Sequence, residues 1–546
     1  MSATTDPILQ AAQHRRWALR GARVVDGTGR GAFPATVIIA GDTIVGVESR
    51  ADAVPDSVPG VDVAGAVVCP GFIDVHSHAD NAPLLTGDHT DTSKIEQGVT
   101  TEVTGNCGFS LAPHLGEHER ALQRLTGRLF PAMQWNWSSF ASYLAVLDDA
   151  GYVTNQAPLV GHHALRIAAM GMRDGAPDDA ELRAMCGLLE DSMTAGAFGL
   201  SSGLIYPPGV FSTPSELATL AAVLPTSGLY ATHMRGESVR LFDSLREAVE
   251  VAERSGRRVH VSHLKAAGTR QWGSMGAALA ILDAARDRGL DIGQDVYPYT
   301  AGSTMLTAAL PPWCQEGGDV RVLERLADPE VRARLHADMA VDDGSWENHA
   351  ASAGWDGVVI ASSASHRFDG RSIADIAQDA GLAPTDALID VLLTERLQVS
   401  MIVHAMNEAD LELALAHPRT VIGSDGLPPG TGGRPHPRTY GTFPRILARY
   451  VRERSVLDLE AAIHRMTGLP AARFHIPGRG VVSPGAVADL VVFDASTVQD
   501  RATFEAPIAR PAGISAVIQA GAVTVHEGRW RGVRHGQRLE PVGSAA

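Results

Sequence analysis

Cysteine is scarce in this chain: four residues in 546, at positions 69, 107, 186 and 314. None are spaced as a Cys-x-x-Cys pair, so a disulfide framework is not expected. No stretch of 18 apolar residues occurs, which excludes a helical membrane span from the expectations. The opening residues Met1–Trp17 lack the apolar core and cleavage pattern of a secretory leader, so the cytoplasm is the expected location. There is no basic stripe, and the formal net charge is −16, so no nucleic-acid or membrane partner is expected. What is present is ordinary for a globular protein: 45% hydrophobic and 20% charged residues. An acidic protein that takes an anionic substrate needs a local cationic pocket, so each Arg or Lys in apolar surroundings becomes informative.

The two ends of the chain share a texture. Trp17–Val25, Ala35–Ala40 and Thr43–Val47 read as short strands, with Gly41-Asp42 as a hairpin turn. Ala488–Phe493 and Ile514–Val525 read the same way, with a turn at Ala520-Gly521. One small β-sandwich domain, residues 1–69 with 478–546, is the expectation. Between the ends, strands alternate with amphipathic helices. Strands are expected at Val99–Val103, Phe198–Ser202, Leu229–His233, Arg258–His263 and Ile292–Tyr297. Helices are expected at Ala180–Ala195, Pro214–Leu224, Leu241–Ser255 and Gly276–Arg288. A late helix, Ser455–Met466, has Ser455 and Asp458 at capping-box spacing. Repeated β-then-α units require parallel strands with helical crossovers. The fold class is therefore α/β, and residues 70–477 have the length of a (β/α)8 TIM-like barrel. Residues 313–365, with charged helical sequence over Arg321–Met339, read as an insertion over the barrel mouth.

Pro70-Gly71-Phe72-Ile73-Asp74-Val75-His76-Ser77-His78 carries the densest signal. A turn feeds an apolar strand, and alternation puts His76 and His78 on one face, where two imidazoles can grip one divalent metal. Other strand ends supply His233, His263, Cys107 and Asp425, the cysteine within Gly105-Asn106-Cys107-Gly108. Barrel chemistry gathers at the carboxyl ends of strands, so these residues converge on one face as a metal site. A thiolate among imidazoles suits zinc, and a metal lowers the thiol pKa. Cys69 and Cys186 read as core residues.

This pattern resembles the amidohydrolase superfamily, and within it the D-aminoacylase (N-acyl-D-amino-acid deacylase) family, along nearly the whole chain. His76, His78, His233, His263 and Asp425 match the superfamily marks, and Cys107 matches the cysteine that these deacylases place where many relatives use a modified lysine or a glutamate. The resemblance implies a tightly held Zn²⁺ on Cys107, His233 and His263, and a second, weaker position on His76 and His78 with Cys107. It implies hydrolysis of the amide bond of a small-molecule N-acyl-D-amino acid, giving a carboxylate and a free D-amino acid. Asp425 is the candidate for proton transfer. Lys265, Tyr297, Ser303 and Arg438 resemble the group that binds the substrate carboxylate, which an arginine grips through two parallel hydrogen bonds. Arg235 and Glu237 read as orienting residues or as a plain ion pair, His162 and His163 as structural or mouth residues, and His404 as a pocket residue with no assigned task. The rival activities are hydrolysis of cyclic amides such as hydantoins or dihydroorotate, deacylation of N-acyl-D-glutamate or N-acyl-D-aspartate, and nucleobase deamination. A scaffold protein that lost its metal is the non-enzymatic rival.

Overall fold

Eight short strands, buried along almost their full length, pair in sequence order as one parallel sheet. They are Phe72–Asp74, Val99–Thr104, Asn155–Gly161, Gly199–Gly203, Leu229–His233, Arg258–Val261, Ile292–Val296 and Thr420–Ile422. In this computed structural model, which describes residues 6–50, 54–429 and 432–542, the sheet closes into a barrel. Closure is made just past the carboxyl ends of the first and last strands. Ser77 bridges Gly426 in parallel, Asp425 donates its N–H to the His76 carbonyl at 2.7 Å, and His78 donates to the Gly426 carbonyl at 3.0 Å.

Side-chain alternation builds two layers from each strand. Leu159, Leu229 and Ala231 pack into an inner cluster with Ile73, Val103 and Val421. Val160 and Tyr230, one residue along, join the outer cluster beneath the helices. Those helices carry the matching stripe. Leu241–Ser255 buries Leu241, Leu245, Ala248, Val249 and Ala252, the spacing of one helical face. Asp179–Thr194 begins at a capping box in which Asp178 accepts from the Glu181 N–H and the Glu181 side chain returns to the Asp178 N–H.

The expected elements are mostly present, further helices and strands join them, and three departures have a plain physical reason. The third barrel strand, Asn155–Gly161, was not expected, because Pro158 interrupts its apolar run. It is tolerated here because strand pairing uses the Pro158 carbonyl, which accepts from the Phe198 N–H at 2.8 Å. The late helix starts at Leu459 with Asp458 as its cap, bonded to the Ala461 N–H, while Ser455 sits at φ +53 and closes the preceding helix. The charged stretch 321–339 is two helices, Asp319–Ala327 and Pro329–Met339. The second begins with a proline, and Asp328 caps it.

Between the seventh and eighth barrel strands the chain makes a long excursion, which contains residues 313–365. It holds a three-stranded antiparallel sheet, with Val399–Val403 between Gly302–Met305 and Val358–Ser363. A second, nine-stranded sheet takes strands from both chain ends and shares one apolar core through Trp17, Val37, Ile39, Leu490, Ile518 and Val523. It curls until its two outer hairpins touch. A Cβ at Gly521 would stand 1.9 Å from the Gly41 carbonyl oxygen, so this contact requires glycine.

Candidate metal centre and substrate cavity

The strand that leads to His76 and His78 stops at Asp74, and both histidines lie on the irregular segment beyond it. Neighbouring loops fix that segment. Asp74 accepts from the Ser424 N–H at 2.8 Å, the Ser424 hydroxyl at 2.6 Å and the His76 N–H at 3.2 Å. Asn106 donates to the Val103 carbonyl at 2.9 Å and the Ser77 carbonyl at 3.4 Å. The first, second and eighth strand ends are thus tied together by buried hydrogen bonds before any ligand-type side chain is considered.

Cys107 sits at the centre. Its Sγ lies 3.2 Å from His76 Nε2 and 3.5 Å from His263 Nε2. Two donor groups share it: His76, His78, Cys107 and Asp425 in one, Cys107, His233 and His263 in the other, each set of ligand atoms lying within 4.8 Å of one another. Asp425 Oδ1 is 3.2 Å from His78 Nε2 and 3.4 Å from His76 Nε2. Three of these six residues hold positive φ: Cys107 at +53, His263 at +37 and Asp425 at +50. Non-glycine residues rarely adopt this region, and where they do at a converging site the surrounding fold supplies the cost. The flanking glycines of the Cys107 turn are needed for close approach, since a Cβ at Gly105 would stand 2.1 Å from the Leu159 carbonyl oxygen.

The electrostatics follow from burial. Desolvation pushes the Cys107 thiol up, but the imidazoles of His76 and His263 outweigh it and hold the thiol well below its usual range. Burial likewise raises Asp425, and the Arg438 guanidinium, followed by His76, holds its carboxyl well below the ordinary value. A thiolate and a carboxylate facing several imidazoles form a donor set suited to Zn²⁺. Both ring nitrogens of His233, Nδ1 of His76 and Nδ1 of His78 are buried without hydrogen-bond partners, and a divalent ion would occupy such orphaned donors at Nε2 of His233.

Orienting residues stand behind the ligands. Glu237 Oε1 lies 3.0 Å from His263 Nδ1 and accepts from Lys265 Nζ at 2.7 Å, and its Oε2 is 3.8 Å from His233 Nε2. Arg235 turns away. It pairs with Glu247 at 2.7 Å and donates to the Val210 and Ser212 carbonyls, a structural role. Asp295, which the sequence reading missed, accepts from the His263 N–H at 2.9 Å, meets His260 Nε2 at 3.0 Å and stands 3.5 Å from His76 Nδ1. Its signal was available: Gln294-Asp295-Val296 places a carboxylate at the end of an apolar strand.

Beside these groups lies a cavity with Lys265, Tyr297 and Ser303 on its wall. Arg438 is fully buried behind them, 4.8 Å from the Tyr297 ring centroid. Its Nη1 is 2.9 Å from Asp425 Oδ2 and its Nη2 donates to the Ser303 carbonyl at 3.0 Å. The Tyr297 hydroxyl is buried with no partner. His162 is bound to Glu216 at 2.8 Å and His163 to the Gly203 carbonyl at 3.0 Å, so both are structural. His404 is exposed and packs against Phe504, away from the cavity. Of the glycine-rich stretch before His436, Gly430 and Thr431 lie outside the described residues.

The amidohydrolase family profile matches residues 60–525. The chain belongs to the amidohydrolase family. Among its relatives, it is 36% identical to a D-aminoacylase of Alcaligenes xylosoxydans xylosoxydans, covering 95% of this chain and 96% of the relative. It is also 36% identical to an N-acyl-D-glutamate deacylase of the same organism, covering 92% of each chain. A solved N-acyl-D-glutamate deacylase of Bordetella bronchiseptica, in complex with zinc and a phosphonate mimic of the tetrahedral intermediate, superposes with a TM-score of 0.79 at 34% identity, over 96% of this chain and 99% of that one. Family membership accounts for the barrel and its metal-type donors. Among the described residues, no helix is long and apolar enough to cross a membrane.

Proposed function

We propose that this amidohydrolase cleaves the amide bond of N-acyl-D-amino acids, using Zn²⁺. The observation that carries the reading is the position of Cys107, shared by two histidine groups beside a cavity whose wall holds Lys265. Relatives of both deacylase specificities match this chain end to end, which supports an open-chain substrate over a cyclic amide. Cys107, His233 and His263 would hold the tighter ion, and His76 and His78 with Cys107 a weaker one. When bound, zinc lowers the pKa of its water and polarises the scissile carbonyl.

The chain's own groups do the rest. Asp425, kept ionised by Arg438, is the base that accepts the proton of the attacking water and returns it to the leaving nitrogen. Lys265, Tyr297, Ser303 and Arg438 would hold the α-carboxylate. Glu237 anchors Lys265 and His263 together, so the carboxylate end and the reacting end are held in one register. Three pinned points, carboxylate, carbonyl and side chain, are what a preference for one hand requires. None of the four cysteines is in a disulfide, which fits a reducing compartment and a cytoplasmic protein.

The test compares N-acetyl-D-methionine, N-acetyl-L-methionine and hydantoin, each with and without a chelator. Chelator-sensitive hydrolysis of the D compound alone is the expected result. Hydantoin turnover without N-acetyl-D-methionine turnover would transfer the site to the cyclic-amide class.

A further inference from the structure

The excursion between the last two barrel strands places Glu347 and His349 on the wall of the same cavity. Both are buried, at 5% and 9% exposure. One carboxylate oxygen of Glu347, Oε2, accepts from the Glu237 N–H at 3.0 Å and the Ser238 N–H at 3.4 Å. The other, Oε1, is buried with no partner, and so is Nε2 of His349. Buried carboxylate oxygens without donors are rare, and an unpaired one lining a substrate cavity invites a donor from the ligand.

The charge balance of the cavity points the same way. Lys265 is the only Lys or Arg among its described lining residues, and Glu237 already engages it. Lys265 and the Arg438 behind the wall are both assigned to the α-carboxylate, so no further Lys or Arg among the described lining residues meets an acidic side chain, while Glu347 would repel one. The position also selects which part of the substrate arrives. Glu347 braces the 237–238 turn, whose Glu237 holds Lys265, so it adjoins the carboxylate end. The group carried by the α-carbon therefore reaches it, rather than the acyl chain. Apolar residues such as Ile205, Val403 and Met406 complete the wall and would pack along a methylene stem.

We propose that Glu347, with His349 two residues on, forms a side-chain subsite that selects N-acyl-D-amino acids ending in a primary ammonium and rejects those ending in a carboxylate. The inference rests on the deacylase reading and deepens it. Glu347 is a specificity-determining residue, remote from the bond being cleaved.

The experiment measures kcat/KM of the zinc-loaded protein for N-acetyl-D-lysine, N-acetyl-D-norleucine and N-acetyl-D-glutamate, and follows thermal stabilisation by free D-lysine against free D-norleucine. Lysine and norleucine match in stem length and differ in the terminal charge. Lysine is expected to exceed norleucine by about tenfold or more, the scale of one charge-assisted hydrogen bond, with glutamate the poorest. In Glu347→Gln the lysine preference should collapse to within about threefold while norleucine turnover persists, and the extra stabilisation by D-lysine should vanish. Norleucine turned over as well as lysine by the unaltered protein overturns the subsite and leaves the deacylase reading standing. A Glu347→Gln protein that loses both substrates equally also overturns it, assigning Glu347 to bracing the turn. No turnover of any of the three compounds, with zinc bound, overturns the deacylase reading and the subsite with it.

Discussion

The two walls of the cavity are built differently. The barrel wall is dense with groups that reach one another: Cys107 reaches His76 and His263, Glu237 reaches Lys265 and His263, and Asp295 reaches His260 and His263, while the open nitrogens of His76, His78 and His233 belong to the donor groups around Cys107. Its backbone is bent to that end, with Cys107, His263 and Asp425 all at positive φ. The excursion wall keeps unspent polar atoms, Glu347 Oε1 and His349 Nε2. A wall whose groups crowd around one shared thiolate is committed to a single chemistry. One with open valences is addressed to whatever differs between substrates. On the proposed reading, the metal chemistry belongs to the barrel and the choice among side chains to the excursion.

That division breaks most visibly at the metal. Cys107→Ala should lower the bound zinc measured by elemental analysis and reduce kcat/KM by about 10³-fold or more, since it removes the donor common to both groups. His349→Phe, on the opposite wall, should leave zinc content unchanged and norleucine turnover within a few-fold. If both variants lose metal alike, the two walls are one unit and the contrast fails.

Asp425→Asn comes next. Proton transfer by a positioned side chain contributes about 10²–10⁴-fold, so kcat should fall by that order while zinc remains bound. Near-normal turnover would remove Asp425 from the mechanism. The buried Arg438 sharpens this. It touches both Asp425 and the Ser303 carbonyl, so Arg438→Ala should raise KM and also lower kcat. Lys265→Met touches Glu237 and His263 but not Asp425, and should act on KM more than on kcat, by about ten- to a hundredfold in steady-state kinetics.

Most of the barrel wall was legible in the sequence, because its signals are local. Leu229–His233 and Leu241–Ser255 carry the apolar periods of a buried strand and an amphipathic helix, and the structure has both at those boundaries. The six converging residues stood at strand ends, where the fold brings them together. What escaped notice depends on distant pairing. Asp295 had a local signal in its strand-end position, but its weight comes from His260, His263 and His76 arriving around it, which that position alone does not show. Asn155–Gly161 was hidden by Pro158, which a sheet admits only where its carbonyl alone is used. Arg235, beside a histidine in sequence, is drawn off by Glu247 twelve residues later. Glu347 lies beyond the charged helical stretch Arg321–Met339, and nothing local marks it until the excursion folds it against the barrel.

The smallest expected effect tests that last placement without substrate or metal. Burial, followed by the neighbouring Glu237 charge, pushes the Glu347 carboxyl up to about 7. In an unfolded chain a glutamate releases its proton near pH ~4.3. Between those values the native state binds more protons than the unfolded one, so Glu347 makes stability fall as pH rises through that window. Its unfavourable contribution is complete above pH ~7 and absent below pH ~4. A glutamine keeps an oxygen for the Glu237 and Ser238 N–H groups and carries no charge. Thermal unfolding should accordingly show Glu347→Gln more stable than the parent at pH 8, by about 1–3 kcal/mol, and nearly equal to it at pH 5. Glu102, raised to about 7 by burial but bonded by the Ser77 and Thr154 hydroxyls at 2.5 and 2.6 Å, is the internal contrast. It has spent both oxygens on the barrel, so Glu102→Gln forces one hydroxyl to face an amide N–H₂ and should gain less at pH 8. Equal pH responses from the two variants would mean that Glu347 is as fully partnered as Glu102, and the open valence on the excursion wall would not exist.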